Sequence, residues 1–188
     1  MNHPRVLLVA AFAFIASCDD GTGPNDLSLA GSMSFNFTGG GGGTFNVTGA
    51  IPLNEANLYR QSWAVGGRDD TENILVVTAV RAQGGGDFDE AFLVIPRLTP
   101  GSATIETCTT LDCPLFWFTL GANEDDFDSF NQFCMLETGT LTIATISSTR
   151  ATGSFSGTGT CTSGTGTETT FIVTNGSFDV AVASDPSL

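Results

Sequence analysis

The chain of 188 residues contains no lysine, one histidine (His3), one tyrosine (Tyr59) and six basic residues, all arginine, against 20 aspartates and glutamates. Phosphate recognition needs clustered Lys and Arg, so nucleic acid and anionic lipid surfaces are poor partners, and no nucleic acid is expected. His3 lies at the extreme N-terminus, which leaves the rest of the chain without imidazole. A Ser-His-Asp or Cys-His arrangement, a histidine metal site, a Schiff-base lysine and a P-loop are all excluded by inventory. Carboxylates and hydroxyls are the polar groups that remain in quantity. Long apolar runs are scarce too, and the longest, Val6 to Ile15, is too short for a membrane helix, which needs about 20 apolar residues.

That run has a different reading. Arg5 precedes it, Ala16 and Ser17 follow it, and Cys18 comes next, which is the layout of a signal peptide over residues 1–17. Ile15-Ala16-Ser17-Cys18 resembles the lipobox of bacterial lipoproteins. The resemblance implies a diacylglyceryl thioether on Cys18, cleavage before it and N-acylation of the new terminus. Several acyl chains on one residue anchor stably where a single chain binds only marginally. The expected location is therefore the bacterial cell envelope, with the membrane as partner through the lipid on Cys18 and with inner or outer membrane left open. Cleavage would leave five arginines against the 20 acidic residues, a formal charge of −15 in place of −14.

Residues 18–27 are polar and rich in Gly and Pro, the composition of a flexible tether, and residues 28–188 are long enough for a single domain with a real core. Within that domain apolar residues alternate in short runs separated by Gly, Pro and Asp. Met33, Phe35 and Phe37 alternate with Ser34 and Asn36, and Gly39 to Gly43 separates them from Thr44 to Val47. Further runs are Ile74 to Val80, Ala91 to Ile95, Ala103 to Thr107, Leu115 to Leu120, Thr140 to Ile146, Thr152 to Gly157, Thr170 to Thr174 and Ser177 to Val182. This spacing predicts an all-β fold, an antiparallel β-sandwich or open barrel of about ten short strands. The best helical candidate is Leu53 to Trp63. Asn175-Gly176 suits either a tight hairpin turn or a Gly bulge within one long strand.

Gly139-Thr140-Leu141-Thr142-Ile143, Thr152-Gly153-Ser154-Phe155 and the stretch from Phe171 to Val180 resemble uncharacterised β-sandwich envelope lipoproteins of several bacterial groups. Gln61 to Ala64, Ile74 to Thr78 and Pro100 to Thr104 fit the same outline, whereas the Gly-rich N-terminal hairpin and the additional cysteines depart from it. The resemblance implies the fold and no particular activity.

Four cysteines lie beyond Cys18: Cys108, Cys113, Cys134 and Cys161. In an oxidising compartment they form disulfides, and three pairings are open. The spacing favours Cys108–Cys113 across a turn and Cys134–Cys161 across a hairpin with its turn near Ser148. A four-thiolate zinc site is disfavoured, because C-x4-C and C-x26-C lack the paired C-x2-C knuckles of such sites.

Negative charge concentrates in Asp69-Asp70-x-Glu72, Asp87-x-Asp89-Glu90 and Glu124-Asp125-Asp126-x-Asp128. These runs read first as solvated loops that keep an acidic domain soluble. No cofactor is expected beyond calcium, for which Asn123, Asp125, Asp126 and Asp128 form the candidate ligand set. The inventory points to a non-catalytic binding or structural module with a glycan or envelope-protein partner, for which Tyr59, Trp63 and Trp117 offer a stacking platform if exposed. The alternatives are a carboxylate-dependent glycoside hydrolase and an accessory subunit of an envelope assembly; the latter would show as an exposed apolar patch.

Overall fold

A computed structural model describes residues 29–52, 54–107, 113–126 and 129–184. The fold is all-β. Its strands are β1 (Ala30–Thr38), β2 (Gly43–Ala50), β3 (Trp63–Asp69), β4 (Ile74–Gly84), β5 (Asp87–Ile95), β6 (Gly101–Glu106), β7 (Leu115–Asn123), β8 (Gln132–Ile146), β9 (Arg150–Ser163) and β10 (Glu168–Ser184). Every neighbouring pair is antiparallel except β10 and β3, which run parallel over Val182–Ser184 and Gly66–Arg68.

Two layers result. One has the order β2-β1-β10-β9-β8-β6, and the other has the order β3-β4-β5-β7. They join at both corners, because the end of β10 passes from β1 to β3 and the start of β8 pairs with β7 before its later residues pair with β6. The ring β10-β3-β4-β5-β7-β8-β9 is therefore closed, which leaves β2 and β6 as the free edges.

Alternation decides which side chains fill the space between the layers. Met33, Phe35 and Phe37 of β1 point inward and are buried, as do Phe116 and Phe118 of β7, Phe155 of β9 and Phe171 of β10. Phe35 sits at the centre, with ring centroids 5.0 Å from Phe45, 5.4 Å from Phe116, 5.0 Å from Phe118 and 5.7 Å from Phe155. Such pairs add about 0.5–1.5 kcal/mol each beyond the burial of their area.

Several expected short strands are parts of longer ones. β8, β9 and β10 run for 15, 14 and 17 residues. Asn175-Gly176 is a bulge within β10: Asn175 has φ 54° and the pairing with β9 shifts register between Val173 and Gly176. The best helical candidate, Leu53 to Trp63, forms over its described residues only a single 3-10 turn, Glu55–Asn57, beside which the Asn54 side chain accepts the Ala56 N–H at 3.0 Å. Leu58 and Tyr59 are buried, and the Trp63 indole N–H donates to the Leu58 carbonyl at 2.6 Å as β3 begins. Their spacing reflects a loop folded onto the sheet, with Leu53 itself outside the described residues.

The Gly-rich connection between β1 and β2 needs its glycines for space as well as conformation. Gly39 has φ 84°, and a Cβ there would lie 2.0 Å from the Thr170 carbonyl oxygen of β10.

Candidate functional site

The acidic run in β5 is not the solvated loop that its composition suggested. β5 is covered on both faces from Phe88 to Ile95, so Asp89 and Glu90, which point to opposite faces, are both buried while Asp87 stays exposed; the bulge opposite them lies on β7, where Phe88 pairs with Ala122 and Glu90 with Thr119. Asp89 faces the interlayer space, in step with Ala91, Leu93 and Ile95 of the main core. Its Oδ2 accepts Arg81 Nε at 2.9 Å, Arg81 Nη2 at 2.6 Å and the Gln83 amide, and its Oδ1 accepts the Gly121 N–H at 2.9 Å. Arg81 in turn donates to the Thr44 carbonyl at 2.8 Å and lies over the Phe45 ring at 5.1 Å. This network ties β2, β4, β5 and β7 together, with every bond to the buried carboxylate made by a group already in place.

Glu90 points to the opposite face of the same strand. Among the described residues its carboxyl has no hydrogen bond or ion pair, and desolvation by burial pushes its pKa from 4.5 up to about 7. Burial, reinforced by the Glu90 charge, also raises the Tyr59 phenol far above its ordinary value. Asp89 and Glu90 are thus adjacent in sequence and opposite in environment, one charge-paired and one desolvated.

The candidate calcium loop follows β7. Asn123 Oδ1 accepts the Asp125 N–H at 2.9 Å, Asn123 Nδ2 donates to Asp87 at 2.6 Å, and the Asn123 carbonyl accepts the Asp126 N–H at 3.2 Å. Glu124 pairs with Arg60, which lowers its pKa. Asp128 lies outside the described residues. Among the described residues no three or more His, Cys, Asp or Glu gather as a metal would require. The Asp69–Glu72 run forms its own turn, in which Asp69 Oδ1 accepts the N–H groups of Thr71 at 2.7 Å and Glu72 at 3.0 Å, and Arg68 pairs with Asp70.

The three aromatics do not form an exposed stacking platform, because Tyr59, Trp63 and Trp117 are all buried. Trp117 does point away from the core occupied by Phe116 and Phe118, but it stacks on Phe92 at 4.0 Å and 10° within a cluster on the outer face of its sheet. Among the described residues Ile172 alone is an exposed large apolar side chain.

Among the described residues the outer face of β8, β9 and β10 carries a shallow, solvent-open groove of about 250 Å³, lined by Phe133, Met135, Glu137, Thr160, Thr162 and Glu168. Register explains the grouping. Phe133, Thr162 and Glu168 lie in one row across three strands, and Met135 and Thr160 lie in the next. Phe133 and Met135 form an apolar floor that continues into the Trp117 cluster. Thr160 donates its hydroxyl proton to Glu137 at 2.9 Å. The sequence signal was the pairing of Thr160-Cys161-Thr162 with Phe133-Cys134-Met135, in which the cysteines turn inward and their neighbours outward. Composition alone could not reveal it, because the Glu168 row becomes adjacent only once β10 is aligned.

Cys134 and Cys161 are bonded to each other beneath this groove, directly opposite in register with Cα atoms 3.9 Å apart, the pairing that the hairpin spacing favoured. Cys113 is also disulfide-bonded, while Cys108, its expected partner, and Cys18 lie outside the described residues. Comparison with known protein families, curated proteins and solved structures gives no match.

Proposed function

We propose that the protein is a lipid-anchored, non-catalytic binding module of the bacterial cell envelope, which presents the groove on β8–β10 to a small ligand or to part of a larger one. The observation that carries this reading is the groove itself: a concave, partly apolar site with a few convergent polar groups, on a rigid scaffold stapled by a disulfide beneath it. Its polar lining is two glutamates and two threonines, which can receive hydrogen-bond donors from a ligand. The anchor rests on the lipobox resemblance at Cys18.

Two measurements test the two halves. An alkyne fatty acid fed to expressing bacteria should label the wild-type chain in the membrane fraction and leave Cys18→Ala unlabelled; equal labelling of both would remove the anchor. For the groove, a fragment library can be screened by NMR with methyl-labelled methionine. Met135 lines the site and Met33 is buried in the core, so binders should move the first signal and not the second. A screen in which no compound moves Met135 selectively would refute the binding role of this face.

A further inference from the structure

The groove has an unusual hydrogen-bonding balance. Glu137 and Glu168 only accept when ionised, and Thr160 has committed its proton to Glu137, which leaves its oxygen to face the groove as a further acceptor. Thr162 supplies the one uncommitted hydroxyl proton in the lining, and no Arg is present there. A ligand that fits must therefore bring donors. Anions are doubly rejected, by the local carboxylates and by the −14 charge of the whole chain. The apolar floor adds a second requirement, a body that covers Phe133 and Met135, and an ammonium beside Phe133 would also gain from the ring's negative face. The volume, about 250 Å³, suits a single ring or a short chain.

Building on the binding-module reading, we infer that the groove takes a primary ammonium carried on a compact body, with Glu137 and Glu168 receiving its N–H donors and Phe133 and Met135 packing against its carbon skeleton. Two sources share this chemistry, an aliphatic amine and an amino sugar. Both glutamates are exposed on strand faces, so their substitution leaves the fold intact and acts on recognition.

The test uses the full chain with methyl-labelled methionine at low ionic strength, titrated separately with putrescine, glucosamine and N-acetylglucosamine. Putrescine, glucosamine or both should move the Met135 methyl signal saturably while Met33 stays fixed, and which of them does so identifies the source. N-acetylation removes the charge, so N-acetylglucosamine should give no saturable shift. Glu168→Gln and Glu137→Gln should each weaken amine binding at least about fivefold, as expected for one charge-assisted hydrogen bond at a part-exposed site. An unchanged Met33 signal shows that each variant is folded. If N-acetylglucosamine binds as well as glucosamine, the ammonium assignment is overturned and the binding-module reading survives. Amine binding that persists in the double glutamine variant reports bulk attraction and overturns the assignment too. Absence of a saturable Met135 shift with all three compounds also overturns it.

Discussion

Among the described carboxylates, the one with the largest leverage on pH behaviour is Glu90. Its carboxyl titrates at about 7 in the folded chain, against 4.5 when solvated. Between those values the folded state holds a proton that the unfolded state has released, so raising the pH favours unfolding. The stabilising contribution is complete below the unfolded value of 4.5 and is lost as pH rises through the folded value near 7. The interval between about 7 and 4.5, at 1.36 kcal/mol per pH unit, corresponds to about 3 kcal/mol. Many other carboxylates titrate over the same range, so the informative quantity is a difference between two proteins. Glu90→Gln replaces the protonated carboxyl with an amide of the same shape that never ionises. Urea unfolding of both proteins at intervals from pH 4.5 to 8 should show near-equal stability at the acid end. The variant should gain on the parent by about 3 kcal/mol by pH 8, because the parent alone must then ionise a buried group. Parallel stability profiles would refute the reasoning, since they would mean that Glu90 finds solvent or a partner when it ionises.

Two further predictions concern the structural devices around the groove and the core. Replacing both Cys134 and Cys161 with Ala removes a bridge between residues 27 apart, which by the chain-entropy account lowers the unfolding free energy by about 3.5 kcal/mol; a loss below about 1 kcal/mol in urea would show that the reduced unfolded chain is already compact. Asp89→Asn leaves the Arg81 guanidinium facing a neutral amide in a largely buried setting, and should cost about 3 kcal/mol by the same assay, whereas a near-neutral result would mean that the network reorganises around water.

Fold class was legible in the sequence because alternation survives in most strands: Met33, Phe35 and Phe37 are inward as their spacing required. β3 was missed because Ala64-Val65-Gly66-Gly67 does not alternate. Its glycines serve a contact that no local pattern encodes, since a Cβ on Gly66 would meet the Val180 and Val182 side chains at 3.1 and 3.2 Å. The lengths of β8, β9 and β10 were underestimated for a related reason. Ser, Thr and Gly fill their outward positions, and these residues read locally as turns, yet cross-strand hydroxyl pairs such as Thr145 with Thr152 at 2.7 Å keep them extended. Asp89 and Glu90 read as solvated charge because nothing in their own run foretells that this end of β5 is covered on both faces, which buries two consecutive residues. The groove depends on three strands falling into register, and its components became a unit only in three dimensions.

Closure of the ring has a kinetic consequence. β10 follows every other described strand in the chain and pairs with β1, β3 and β9. Until it is available, the inner edges of all three lie open, and the Phe-rich interlayer space has no lid along that side. Its contact with β1 joins residues on the order of 140 positions apart, as between Ser34 and Ser177. Such pairing pays a large loop-closure entropy before it is rewarded, so the chain should fold late and slowly. A polypeptide ending short of β10 would then be a substrate for proteases and would not be a smaller version of the same domain.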